Sequence, residues 1–168
     1  MPAMYDASVP TLTRALSNLI AILEKGAAHA EARKIDPSVL VEARLYPDMF
    51  PLSKQVQIAA DVAKLGTARL AQAEAPKHED TEKTFPELVE RLRSTIAFLE
   101  TLEPGRFDDG TRMVTFPLQR ESKTWPGARY LYTRVLPNVF FHCTTTYNIL
   151  RHNGVELGKA DFLGPVAD

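Results

Sequence analysis

Four histidines and a single cysteine are the side chains of this 168-residue sequence best suited to bind a metal or act as base or nucleophile. Two of the histidines and the cysteine fall in one stretch, FFHCTTTYNILRHNG, residues 140–154. On a helix, His142 and His152 differ by about 80° around the axis and about 15 Å along it, so no single ion is held by both. A helical ligand pair needs a spacing of three or four. Thr146 stands four residues after His142, and Asn148 four before His152. This helix therefore offers one good ligand per site. His142 is read either as the wall of a functional pocket or as a histidine bonded to a backbone carbonyl. His152, in the last turn, meets the open carbonyls of the helix end. Cys143 lies on the apolar stripe and reads as a small buried hydrophobe rather than a nucleophile. His29 is expected at the surface and His78 in a solvated loop. No serine sits in a nucleophile elbow, and no Gly-rich phosphate loop is present.

A second polar group precedes it. Gln55 and Gln57 stand in a predicted helix, with Asp61 one turn after Gln57. The same helix carries two apolar stripes: Leu52, Val56, Ala59, Ala63 on one side, and Ile58, Val62, Leu65 on another. Two stripes mean neighbours on more than one side. The glutamines then face either the interior or solvent, and both readings stand.

These residues need elements to hold them. Val9, Leu12, Leu16, Leu19, Ile20, Leu23 and Ala27 recur at helical spacing and predict a first helix over 9–34, with Ser8 or Thr11 as its cap. A short helical turn follows at 38–45. The second long helix starts after Pro51 and runs to about residue 72, with Ala59, Ala60, Ala63 and Gly66 permitting close helix approach. Residues 73–83 read as a loop. Thr84 followed by Glu87 is a capping box, with Pro86 in the first turn. Leu88, Leu92, Ile96, Leu99 and Leu102 form the third helix's stripe. After Pro104-Gly105 the pattern changes. Met113–Phe116 and Tyr130–Tyr132 are β-prone runs, so 105–132 is a long crossover with room for a small hairpin, and Trp125 anchors a turn. The fourth helix starts near Leu136-Pro137, carries Leu136, Phe140, Cys143, Tyr147 and Leu150 on one stripe, and stops at Asn153-Gly154. Phe162 and Leu163 pack back on the bundle. The fold class is all-α: a four-helix bundle in one domain, 1–168.

Composition excludes several functions. The net charge is −1, without the basic excess of a phosphate-backbone binder, so no nucleic-acid partner is expected. One cysteine forms no internal disulfide, which suits a cytoplasmic protein. The N-terminus lacks a signal-peptide layout, and no run of about 18 apolar residues exists to span a membrane.

Longer strings carry a resemblance. DMFPLSKQVQIA (48–59), LPN (136–138) with Phe141-His142, YNILRHNGV (147–155), Gly158-Lys159 and DFLG (161–164) resemble the signatures of bacterial proteins called domain of unknown function 1993. HAEARK (29–34) and Asp36-Pro37 are similar too. The resemblance covers almost the whole chain. It implies a DinB-like, YfiT-like bundle, in a superfamily of metalloenzymes that includes thiol-dependent transferases and isomerases. Members that hold metal use one histidine from the second helix and a His-x-x-x-His pair from the fourth. His142 resembles the first of that pair, Thr146 stands where the second would be, and Gln57 or Gln55 stands where the second helix would give histidine. Glutamine and threonine are poor ligands for Zn²⁺ or Ni²⁺, so neither metal nor cofactor is expected.

The expectation is a metal-free small-molecule-binding module. Its pocket lies between the second and fourth helices and is lined by Gln57, His142 and Thr146, with Tyr147, Asn148, Gln55 and Asp61 near. Two alternatives stay beside it. One is a divergent enzyme, thiol-dependent or using His142 as acid and base with Asp61 orienting a neighbour. The other is a structural homodimer joined through the second stripe of the second helix, unless the crossover covers that stripe.

Overall fold

The computed structural model describes residues 3–165. Four long helices form a closed ring: α1 (Ala3–Arg33), α3 (Leu52–Ala71), α4 (Phe85–Glu100) and α6 (Leu136–His152). Around the ring, α1 packs on α4, α4 on α3, α3 on α6, and α6 back on α1. Short helices α2 (Pro37–Val41), α5 (Gly127–Tyr130) and α7 (Lys159–Leu163) fill the connections. The crossover holds an antiparallel hairpin, β1 (Met113–Leu118) and β2 (Glu121–Pro126), paired from Met113 opposite Pro126 to Leu118 opposite Glu121. The all-α bundle with a small hairpin before its last long helix is as the sequence predicts. Among the described residues, no helix is long and apolar enough to cross a membrane.

Two boundaries differ from expectation, each with a physical reason. Helix α1 begins at Ala3, so Pro10 lies in its interior. A proline there cannot donate to the carbonyl four residues back. Thr11 supplies the missing donor, its Oγ1 lying 3.3 Å from the Asp6 carbonyl. Ser8 likewise donates to Met4 O at 2.6 Å, so neither residue is a cap. The second difference is at Tyr130–Tyr132, which is not a strand. Helical backbone starts at Gly127 and passes through a π-turn, Leu131–Val135, directly into α6. Pro137 accounts for the wide turn: in a regular α-helix its ring would clash with the Thr133 carbonyl and leave it unbonded.

The remaining local signals act as read. Thr84 Oγ1 accepts from Glu87 N while Glu87 Oε2 accepts from Thr84 N, closing the capping box of α4. Asp36 caps α2 by accepting from Ser38 N at 2.9 Å. The small-residue face of α3 lets α6 come close. Ala59, Ala60 and Ala63 are fully buried, and a Cβ on Gly66 would stand 2.7 Å from Val135 Cγ1. Val135 is stiff and fully buried. Gly66→Ala is therefore expected to destabilise by about 1–3 kcal/mol despite alanine's better helix propensity. Urea unfolding showing a gain in stability would contradict this packing.

Candidate functional site

His142 is half-buried where α6 faces the start of α3. Gln55 Nε2 donates to Phe50 O at 3.1 Å, which turns its Oε1 toward His142. His142 Nδ1 lies 2.6 Å from that oxygen and must be the donor. Burial holds His142 below the ordinary histidine value, favouring the neutral ring. The neutral tautomer so fixed leaves Nε2 as a free lone pair, with no partner among the described residues. The second helix's contribution opposite His142 is thus Gln55, not Gln57.

Gln57 faces the opposite flank of α3. Its Nε2 donates to Glu82 Oε2 at 2.9 Å. Glu82 belongs to a buried charge cluster centred on Arg91 of α4, whose side chain is 1 % exposed. Arg91 Nη1 donates to Glu82 Oε1 and to Glu79 O, at 2.9 and 3.0 Å. Its Nη2 lies 3.0 Å from both Asp61 and Asp80, although these oxygens sit off the N–H directions and leave Nε and Nη2 without an aligned acceptor. Burial opposes the guanidinium's charge, but the Glu82 bond and the three carboxylates outweigh it and raise its pKa. Lys54 pairs with Asp80 and holds that carboxyl below its usual range.

Lys64, 2 % exposed, joins the cluster from α3. Its Nζ lies 3.0 Å from Asp61 Oδ1 and 3.0 Å from His78 Nδ1. His78 is therefore no solvated loop residue: its other nitrogen reaches Ser94 Oγ at 3.2 Å. Since an ammonium only donates, His78 Nδ1 accepts and Nε2–H donates to Ser94. This is the wrong tautomer for activating a serine, whose base must offer Nε2 as acceptor. The row Ser94–His78–Lys64–Asp61 pins the 73–83 loop across α3 and α4 and is not a nucleophile triad.

A groove of about 160 Å³ runs between α3, β1 and the start of α6. Asp61, Val62, Leu65 and Arg69 form one side. Phe116 and Pro117 form the hairpin side, and Tyr130, Arg134, Val135 and Asn138 the third. Val62 and Leu65 of the second apolar stripe therefore lie partly beside the crossover. Arg69 Nη1 donates to the Tyr130 hydroxyl at 3.0 Å. Tyr130 is almost wholly buried, and its own O–H proton has no acceptor among the described residues. Arg134 and Asn138 likewise have no side-chain partner among them. Asn138 stands one turn before His142 on α6, about 6 Å along the axis.

The residues expected in one pocket are thus dispersed. Asp61 lines the groove and Gln55 holds His142, but Gln57 serves the Arg91 cluster. Thr146 is fully buried and donates to His142 O at 2.9 Å. Tyr147 reaches Leu157 O at 3.4 Å, and Asn148 is exposed. The implied metal-ligand set does not fit a transition metal. Gln55 Oε1 is bonded by the imidazole, Thr146 turns to its own helix, and no three His, Cys, Asp or Glu side chains converge among the described residues. Sequence reasoning missed Lys64, Arg91, Arg69, Tyr130, Arg134 and Asn138. A signal existed for two sets: Arg91 interrupts the Leu88–Leu92–Thr95 stripe, and Tyr130, Arg134 and Asn138 are spaced by four.

Ring and hairpin together are those of a DinB-type bundle. The crystal structure of a DinB family member protein from Shewanella denitrificans matches with TM-score 0.91 and 43 % identity, covering 96 % of this chain and 92 % of that one. The chain belongs to the family called domain of unknown function 1993, which it matches over residues 4–163. No curated protein matches it.

Both His78 and His142 sit below the ordinary value of 6.5, His78 through burial and then the charges of Lys64 and Arg91. As pH falls through 6.5 the unfolded chain takes up these protons first, so stability is full above 6.5 and drops below it. Melting temperature is expected to fall between about pH 7 and pH 5, above the carboxylate range, and the slope to shrink in His78→Gln and in His142→Gln. An unchanged slope in the double variant would remove the two rings from this account.

Proposed function

We propose that the protein is a metal-free binding module for a small molecule that carries an anionic group on a partly apolar body. The site is the groove between α3 and α6. One observation carries the reading: Arg134, Asn138 and the Tyr130 hydroxyl, whose donors are unpartnered among the described residues, line a groove whose other walls are Val62, Leu65, Val135, Phe116 and Pro117, with Arg69 bonded to Tyr130 and Asp61 engaged by Lys64 and Arg91. Few, convergent polar groups in an apolar cleft are the usual form of a ligand site. Guanidinium suits carboxylate or phosphate because it donates in a planar fork. The π-turn supports the reading, since such turns recur at functional sites and this one presents Arg134.

A second reading rests on the His142 tautomer. The Phe50–Gln55–His142 chain of hydrogen bonds leaves Nε2 as a free base one turn from Asn138, a residue of the groove. On that reading the chain is a divergent DinB-like enzyme. We also propose a homodimer in a reducing, cytoplasmic setting. Tyr46, Phe50 and Phe141, all more than half exposed, flank the Gln55–His142 pair and offer an apolar surface to a second copy.

Calorimetric titration with phenyl phosphate and benzoate tests the module. Binding is expected to weaken about tenfold in Arg134→Ala, the worth of a charge-assisted hydrogen bond, and to survive in His142→Gln. Absence of binding, or binding indifferent to Arg134, would sink the anion assignment. For the dimer, light scattering at micromolar concentration should give twice the 18.7 kDa chain mass. A monomer mass would refute it.

A further inference from the structure

A second cavity lies on the other side of the bundle and has the opposite chemistry. It measures about 210 Å³ and sits between α1, α6 and the C-terminal strap formed by α7 and the residues up to Pro165. Leu19, Ile22, Phe140, Cys143, Phe162 and Leu163 give it apolar walls. Three polar residues also border it, and each is already bonded to backbone. Thr11 donates to Asp6 O, Asn18 Nδ2 to Phe162 O at 3.0 Å, and Arg14 to Leu163 O and Pro165 O at 2.9 and 2.8 Å. Arg14 is exposed, so its charge stays at the rim in water, and the rest of the lining is mainly apolar.

The strap is held by a small number of removable contacts. Arg14 and Asn18 grip its carbonyls, and Lys25 pairs with Asp161 at 2.6 Å. Gly164 adopts φ +72°, and a Cβ there would stand 2.2 Å from Asn18 Oδ1, so the chain passes this latch only as glycine. Leu163 is 52 % exposed although it borders the cavity. An apolar lid half in water and tied by surface hydrogen bonds belongs to the low-stability end of local opening.

We propose that this cavity is a binding site for a small uncharged apolar molecule, admitted when the Arg14–Asn18 latch releases the α7 strap. Size and lining set the ligand class. The space is about 1.4 times a 150 Å³ apolar cavity known to bind benzene, which suits an alkylbenzene or a medium-chain alcohol. A carboxylate inside would compete with the strap carbonyls that already take Nε and Nη2 of Arg14. The cavity shares no lining residue with the anion groove and does not depend on it.

The chain's single cysteine reports on it. Cys143 lines the cavity, is 2 % exposed, and burial pushes its thiol up to about 12. It reacts only through opening. The experiment measures N-ethylmaleimide labelling of Cys143 in the full chain at pH 7.5 or thereabouts, with and without 1-octanol, circular dichroism confirming the fold throughout. At about ten times its Kd, octanol is expected to slow labelling about tenfold, by mass action on the closed state. Arg14→Ala should speed labelling about tenfold without ligand, through loss of the latch bonds. Ala15→Leu, which fills the cavity from α1, should label slowly and lose the octanol effect. Octanol without effect on the folded wild-type rate overturns the site. Octanoate protecting better than octanol overturns the uncharged class, and unchanged labelling in Arg14→Ala overturns the latch. Phenyl phosphate binding is measured separately at Arg134, so either site can fail alone.

Discussion

The close approach of α3 to α6 is the constraint from which the rest follows. Gly66 meets the methyls of Val135, and Ala59, on the same face of α3, adds no long side chain there. That proximity puts Gln55 within hydrogen-bonding reach of His142. It also forces polar residues on α3 to leave sideways. Asp61 and Lys64 exit toward α4 and Arg69 toward Tyr130, so the helix has a charged flank on one side and a groove on the other.

The two flanks follow different electrostatic logic. Toward α4, the cations of Lys54, Lys64 and Arg91 are matched by Asp61, Asp80 and Glu82, and the neutral His78 accepts from Lys64. Removing one member would leave a buried charge uncompensated, while the set as a whole adds little to affinity for anything outside. Toward the hairpin, Arg134 has no opposing carboxylate within its own cluster, and Asp61 is already engaged. On the proposed reading the surplus donors at the cleft serve recognition, while the balanced set inside is a clamp.

Much of this was legible in the sequence because it depends on local spacing. The four long helices, the capping box at Thr84, the stop at Asn153-Gly154, the hairpin in the crossover and the buried Cys143 all follow from periodicity or turn chemistry. The site was less legible. Gln55 and Gln57 are two residues apart, and a helix sends them about 200° apart, so which faced His142 depended on how α3 is rotated against α6. Composition does not fix that rotation. His78 lies in a polar loop by every local criterion, yet a buried lysine fourteen residues earlier recruits it. Tyr130 looked β-prone because aromatic propensity is weak beside the demand of Pro137 for a wide turn directly before α6.

The bonds of the strap also set an order of assembly. The Arg91 cluster joins residues 9 to 30 positions apart, so α3, its loop and α4 close over short loops of chain. The strap's bonds to Arg14 and Asn18 span 144 to 151 positions, from the first long helix to beyond the last. Short loops close sooner than long ones, and synthesis delivers the strap after all four long helices. On the ribosome the α3–α4 hairpin is therefore complete while the face of α1 that will meet α6 and α7 is still bare. The apolar residues Leu19 and Ile22 wait longest for cover, which makes the first helix the segment of the nascent chain most in need of a chaperone.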